Sequence, residues 1–189
     1  MAFWRFRPMR VAQPEARLCW AAAIKSYTFS TPGIKNTLMK RVIEIAKDNR
    51  CVEPDGTLKN EDDTFRMLER EFGLTSDANQ RRIEKRRNRV HPSQSFAEIP
   101  RDELPPDYFV DKLKHSHVVF AYFLGSGPTG DDVFHTVTVY GYDKFSYCYM
   151  DPLRSKDPLN GKPTTKDHYH RCLRFSRADV ILDYIAFWL

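Results

Sequence analysis

Two hydrophobic rhythms divide the chain. In its first part apolar residues recur at helical spacing. "CWAAAIKSYTFS" (19–30) predicts a helix, with Ala21, Ala22 and Ala23 as strong formers, and "STPG" (30–33) stops it. A second helix is expected over 36–48, with Asn36 as its cap and Leu38, Val42, Ile45 and Ala46 on one face. "EPDG" (53–56) reads as a turn, and 60–74 as a third helix with an acidic first turn, apolar Phe65, Leu68 and Phe72, and Gly73 as C-terminal cap. A short helix is expected around 107–114. After it the pattern becomes strand-like. "HVVFAYFL" (117–124), "VFHTVTVYGY" (133–142), "FSYCYMD" (145–151) and 169–175 are rich in β-branched and aromatic residues. The tail "ADVILDYIAFWL" fits either helix or strand. The prediction is one α+β domain over 1–189, with a helical lobe at about 13–115 packed on an antiparallel sheet lobe at about 116–189.

Composition narrows this picture only modestly. A chain of 189 residues, 41% hydrophobic with 13 Phe, 9 Tyr and 3 Trp, can bury a core without metal or disulfide support. The formal net charge of +5 favours acidic partners weakly and does not by itself indicate nucleic acid. No apolar run is long enough for a membrane span, and "MAFWRFRPMRV" has neither the apolar stretch nor the cleavage site of a signal peptide. Four cysteines (Cys19, Cys51, Cys148, Cys172) without paired spacing predict no zinc site, no disulfide framework and a reducing compartment, either the cytoplasm or a target cell reached by a specialised secretion system. No cofactor is expected. The pairs His115/His117 and His168/His170 lack neighbouring ligand residues and are assigned to surface or core.

The candidate chemistry is distributed. A nucleophilic cysteine needs a lowered pKa, and Cys19 stands where a helix begins, with the positive end of its dipole. His135 lies on an apolar strand. Asp151 ends the next strand, so antiparallel pairing across the tight "DK" connection brings the two together. An acid there orients the ring and stabilises the imidazolium. Gln13, on the loop before Cys19, is a neutral donor suited to a developing oxyanion. Taken singly, each residue has an ordinary structural alternative: a small buried thiol, a core histidine, a turn cap.

Together they form a pattern. "QPEARLCWAAA", "HTVTVYGYD" and "MDP" resemble the "Q…CW.AA", "H.V.V.GY" and "DP" segments of papain-like cysteine peptidases. The similarity is nearest to their compact bacterial branches, the bacteriocin-leader peptidase-like domains and avirulence-type effector proteases. "TFRMLEREFGL" is similar to the intervening helix of those branches. The resemblance implies a papain-like fold, Cys19 as nucleophile, His135 as general base and acid, Asp151 as orienting acid, Gln13 as oxyanion donor and Trp20 beside the substrate. There are departures: "EARLCW" lacks the glycine turn of "CGSCW", Asp replaces the usual Asn, and Phe134 stands where many members have glycine.

The implied partners are a protein substrate and an inhibitory, immunity-type protein restraining a bacterial effector or toxin. Only twelve residues precede Gln13, fewer than an inhibitory prodomain needs, so restraint is expected from a partner, a compartment or export if the chain is full length, and from missing parts if it is an excised domain. The basic run "QRRIEKRRNRV" reads as a solvated face, or as an exosite in which Arg81, Arg82, Arg86 and Arg87 recruit an acidic substrate. Two rival functions remain: glutamine deamidation or transglutamination by the same triad, and a non-enzymatic basic binding module.

Overall fold

The computed structural model describes residues 3–15, 17–59, 61–76, 108–126, 132–143, 146–152, 170–174 and 184–188. Among them the elements run β1 (Phe3–Trp4), α1 (Cys19–Ser30), α2 (Met39–Asp48), α3 (Asp62–Phe72), β2 (Thr75–Ser76), α4 (Tyr108–His115), β3 (Val118–Ser126), β4 (Asp132–Asp143), β5 (Ser146–Met150), β6 (His170–Arg174) and β7 (Tyr184–Trp188). All the strand pairings are antiparallel, in the order β2-β7-β3-β4-β5-β6, with β1 paired to the end of β4. The chain is thus an α+β mixture, and its tail forms a strand over Tyr184–Trp188. Strands β1 and β2 come from the first half of the sequence, so the sheet is not confined to the second. No helix among the described residues is long and apolar enough to cross a membrane.

The Ala-rich helix is buried almost all round. Every residue of α1 except Phe29 is buried, and Ala21, Ala22 and Ala23 are fully enclosed. Small side chains let the helix sink against the sheet, where the Thr138 hydroxyl donates to Ala23 O at 3.1 Å. Its polar residues are satisfied locally. Ser26 Oγ donates to Met9 O at 2.7 Å, Thr28 Oγ1 to Lys25 O at 3.1 Å, and the Lys25 ammonium to Asn36 Oδ1. That last contact corrects the expected cap of α2. Asn36 is taken by the ammonium, and the helix begins later, with Leu38 at its N-cap. Helices α2 and α3 press Val42, Ala46, Phe65, Leu68 and Phe72 into the same core as Trp20, Ile24 and Tyr27. Gly73 ends α3 as anticipated, at φ 68.

A strap of residues 3–13 ties the far end of α1 to the sheet. Arg5 N donates to Tyr140 O (2.8 Å), Met9 N to Ser30 Oγ (2.8 Å), and Gln13 N to Pro152 O (3.0 Å). Two histidines grip the same strap: His117 Nε2 donates to Phe6 O at 3.0 Å and His170 Nε2 to Pro8 O at 2.9 Å. His117 is fully buried, and burial pushes its pKa down to about 4, so it stays neutral and structural. The strap begins where Trp4 lies flat on Gly141, at the bulge of β4; a Cβ there would come within 2.1 Å of the indole. Gly141→Ala is therefore expected to displace Trp4 and destabilise the fold by about 1–3 kcal/mol, read as a lowered urea midpoint.

One expectation from the cysteine pattern fails. Cys148 is disulfide-bonded, and its register partner across the β5–β6 ladder is Cys172; Cys19 and Cys51 take part in no disulfide. Antiparallel pairing sets residues far apart in sequence face to face, which spacing along the chain does not reveal. A disulfide also counts against the reducing compartment inferred from sequence.

Candidate active site

Helix α1 opens on Cys19 with no side-chain cap. Leu18 occupies the N-cap and has no side-chain acceptor to offer, and the first turn carries no acid, whereas α3 begins with Asp62 and Asp63. The positive end of α1 is therefore not neutralised by its own sequence, which suits a thiolate. Cys19 is buried, and burial by itself raises a thiol's pKa. The hydrogen bond and charge of His135, joined by backbone and side-chain hydrogen bonds from Thr136, outweigh burial and leave the Cys19 pKa lowered.

The register of β4 and β5 explains how His135 meets Asp151. Thr138 pairs with Met150, so β5 ends beside the segment of β4 that leads back to His135. His135 Nε2 donates to Asp151 Oδ1 at 2.8 Å, both residues being only 4% exposed. With Nε2 engaged by the acid, Nδ1 is the ring nitrogen left for the thiol. Burial acts to lower the His135 pKa, but the hydrogen bonds and charges of Asp151 and Cys19 prevail and raise it to about 9. A lowered thiol beside a raised imidazole is the signature of a thiolate–imidazolium pair.

The other sequence candidates fall differently. Gln13 is held on the strap, next to the Asp151–Pro152 corner, through Gln13 N to Pro152 O. Its Nε2 donates to Glu15 O at 3.2 Å, while Oε1 is buried with no hydrogen-bond partner. Trp20 lies in the core at 4% exposure, and its indole N–H donates to Gly56 O at 3.0 Å. It anchors a turn rather than facing open space. The residues Arg81, Arg82, Arg86 and Arg87 lie outside the described residues, as does His168. His115 is exposed at the end of α4.

Two features escaped sequence reasoning. Thr136 reaches the thiol, although beside a candidate histidine it reads only as a strand former. Arg17, two residues before Cys19, adopts a left-handed backbone with φ 71, where the resemblance leads one to expect glycine.

The arrangement can do nucleophilic chemistry: an activated thiol, a proton carrier and an orienting carboxylate are joined in one buried chain, with a side-chain amide on the adjoining strap. Neither the models of known protein families nor the curated proteins include a match to this chain.

Proposed function

We propose that the protein is a cysteine peptidase of papain-like arrangement acting on a protein substrate. The observation that carries this reading is the buried chain Cys19–His135–Asp151, in which the thiol's pKa is lowered and the imidazole's raised. The Cys19 thiolate attacks a substrate carbonyl carbon, forming the C–S bond and moving the π electrons onto oxygen. Negative charge on that oxygen is met by N–H groups at the start of α1 and by the Gln13 amide. A half-turn of that amide, at the expense of its bond to Glu15 O, sets an N–H donor where the unpartnered Oε1 now sits. As the tetrahedral adduct collapses, imidazolium Nδ1 gives its proton to the departing amine and the C–N bond breaks. Water, deprotonated by the same nitrogen, then attacks the thioester, and Cys19 leaves as thiolate. Asp151 holds the ring throughout and balances its charge.

The test is incubation of the purified protein with a denatured proteome, with Cys19→Ala as control. The reading expects new peptide termini that depend on Cys19. Side-chain conversion of glutamine to glutamate without chain cleavage would instead assign the triad to deamidation. An effector or toxin role, held in check by an inhibitory partner, is the biological setting proposed for this activity. The Cys148 disulfide fits work outside a reducing cytosol. Growth arrest on directing the wild type, but not Cys19→Ala, to an oxidising compartment of bacteria is the expected result.

A further inference from the structure

The turn at 53–57 touches three of the residues that flank Cys19. The hairpin is closed by a Val52–Leu58 bridge, by Glu53 N to Thr57 O at 2.8 Å and by Gly56 N to Glu53 O at 3.0 Å. Asp55 Oδ1 caps it by accepting from Thr57 N at 2.8 Å. From this turn Asp55 makes an ion pair with Arg17, and Thr57 Oγ1 accepts from Arg17 Nη1 at 3.5 Å. Gly56 packs against Leu18, its virtual Cβ 3.8 Å from Leu18 Cδ2, and Gly56 O accepts from Trp20. Cys19 is thus framed by neighbours held on one side by the hairpin, while its own thiol meets His135 and Thr136 on the sheet.

The strained member of this set is Arg17. A left-handed φ of 71 is unfavourable for any residue with a Cβ and persists only where the surroundings impose it. What imposes it is the hold of Asp55 and Thr57 on the guanidinium, across the short link between strap and helix. Glycine would reach the same conformation without help.

The geometry points to Arg17 and Asp55 as positioning residues that hold the turn before Cys19 in the shape needed to present the thiol to His135. They stand in for the glycine that the sequence lacks. This inference rests on the peptidase reading of the site. Arg17 and Asp55 side chains are about half exposed (46% and 43%), so their replacement leaves the core intact.

The test is the rate at which iodoacetamide alkylates Cys19 as a function of pH, located by mass spectrometry, in wild type, Arg17→Ala, Arg17→Gly, Asp55→Ala and the Arg17→Gly/Asp55→Ala double variant. Arg17→Ala and Asp55→Ala keep the strain and lose the clamp. Each is expected to slow alkylation at about pH 6 by roughly tenfold and to move the thiol's titration upward. Arg17→Gly removes the strain itself and is expected to stay within about twofold of wild type, as is the double variant. Thermal midpoints compared alongside separate this from general destabilisation: the clamp expects Arg17→Ala and Asp55→Ala to slow alkylation while their midpoints stay within a few degrees of wild type. Glycine as slow as alanine at position 17, or Asp55→Ala indistinguishable from wild type with a depressed thiol, would overturn the clamp alone. An ordinary thiol titration in the wild type would overturn the active-site reading and the clamp with it.

Discussion

Replacing His135 with alanine is expected to abolish turnover, with kcat/KM falling on the order of 10⁴-fold. The reason lies in what the imidazole does for Cys19. An ordinary thiol titrates near 9.0, and burial raises it further; only His135 and Thr136 bring it down. Without the ring, the thiol loses the hydrogen bond and charge that hold its pKa down while the burial that raises it remains, so little thiolate forms at mildly acidic pH, and the departing amine has no proton donor. Cys19→Ala removes the nucleophile and should be equally inactive. Combining the two should cost no more than either alone, because they serve one step. Measured kcat/KM for the two single variants and the double variant checks this, and an additive loss would mean that the residues act separately. Thr136→Val should be milder. It deletes one of the donors to the thiolate, raising the thiol's titration while turnover persists.

The second large effect concerns pH. Turnover requires both thiolate and imidazolium, so kcat/KM should rise as the lowered thiol ionises and fall as His135 loses its proton near about 9. Asp151→Ala removes the hydrogen bond and charge that raise the His135 pKa, while the burial that lowers it remains. The alkaline limb must therefore move down. The acid limb must move up, because a weaker imidazolium stabilises the thiolate less. The bell narrows from both sides, and the variant should lose more activity in mildly alkaline than in neutral buffer. A uniform loss at all pH values would show that Asp151 matters only for folding.

Much of this was legible in the chain because the relevant signals are local. The helix at Cys19 is marked by its alanines, α3 by its acids and Gly73, and the central strands by their β-branched runs. The meeting of His135 with Asp151 followed from the short connection between β4 and β5, since a tight turn largely determines which residues oppose each other. What stayed hidden depends on long-range contact. Cys148 stands opposite Cys172 only through the β5–β6 register. Asn36 looked like a helix cap until the buried Lys25 claimed it. Arg17 reads as a charged surface residue; nothing nearby in the sequence announces that a turn beginning at Glu53 folds back to bend its backbone. The sequence resemblance suggests Trp20 beside the substrate, whereas the structure turns it inward, onto Gly56.

The central claim is that Cys19 and His135 form a reactive ion pair, and the most direct measurement is labelling with a thiol-reactive epoxide that requires such a pair. At about pH 6 the wild type should be modified at Cys19, the free but buried Cys51 should be spared, and His135→Ala should remain unlabelled. Labelling shared between Cys19 and Cys51, or labelling of Cys19 that survives the loss of His135, would contradict it.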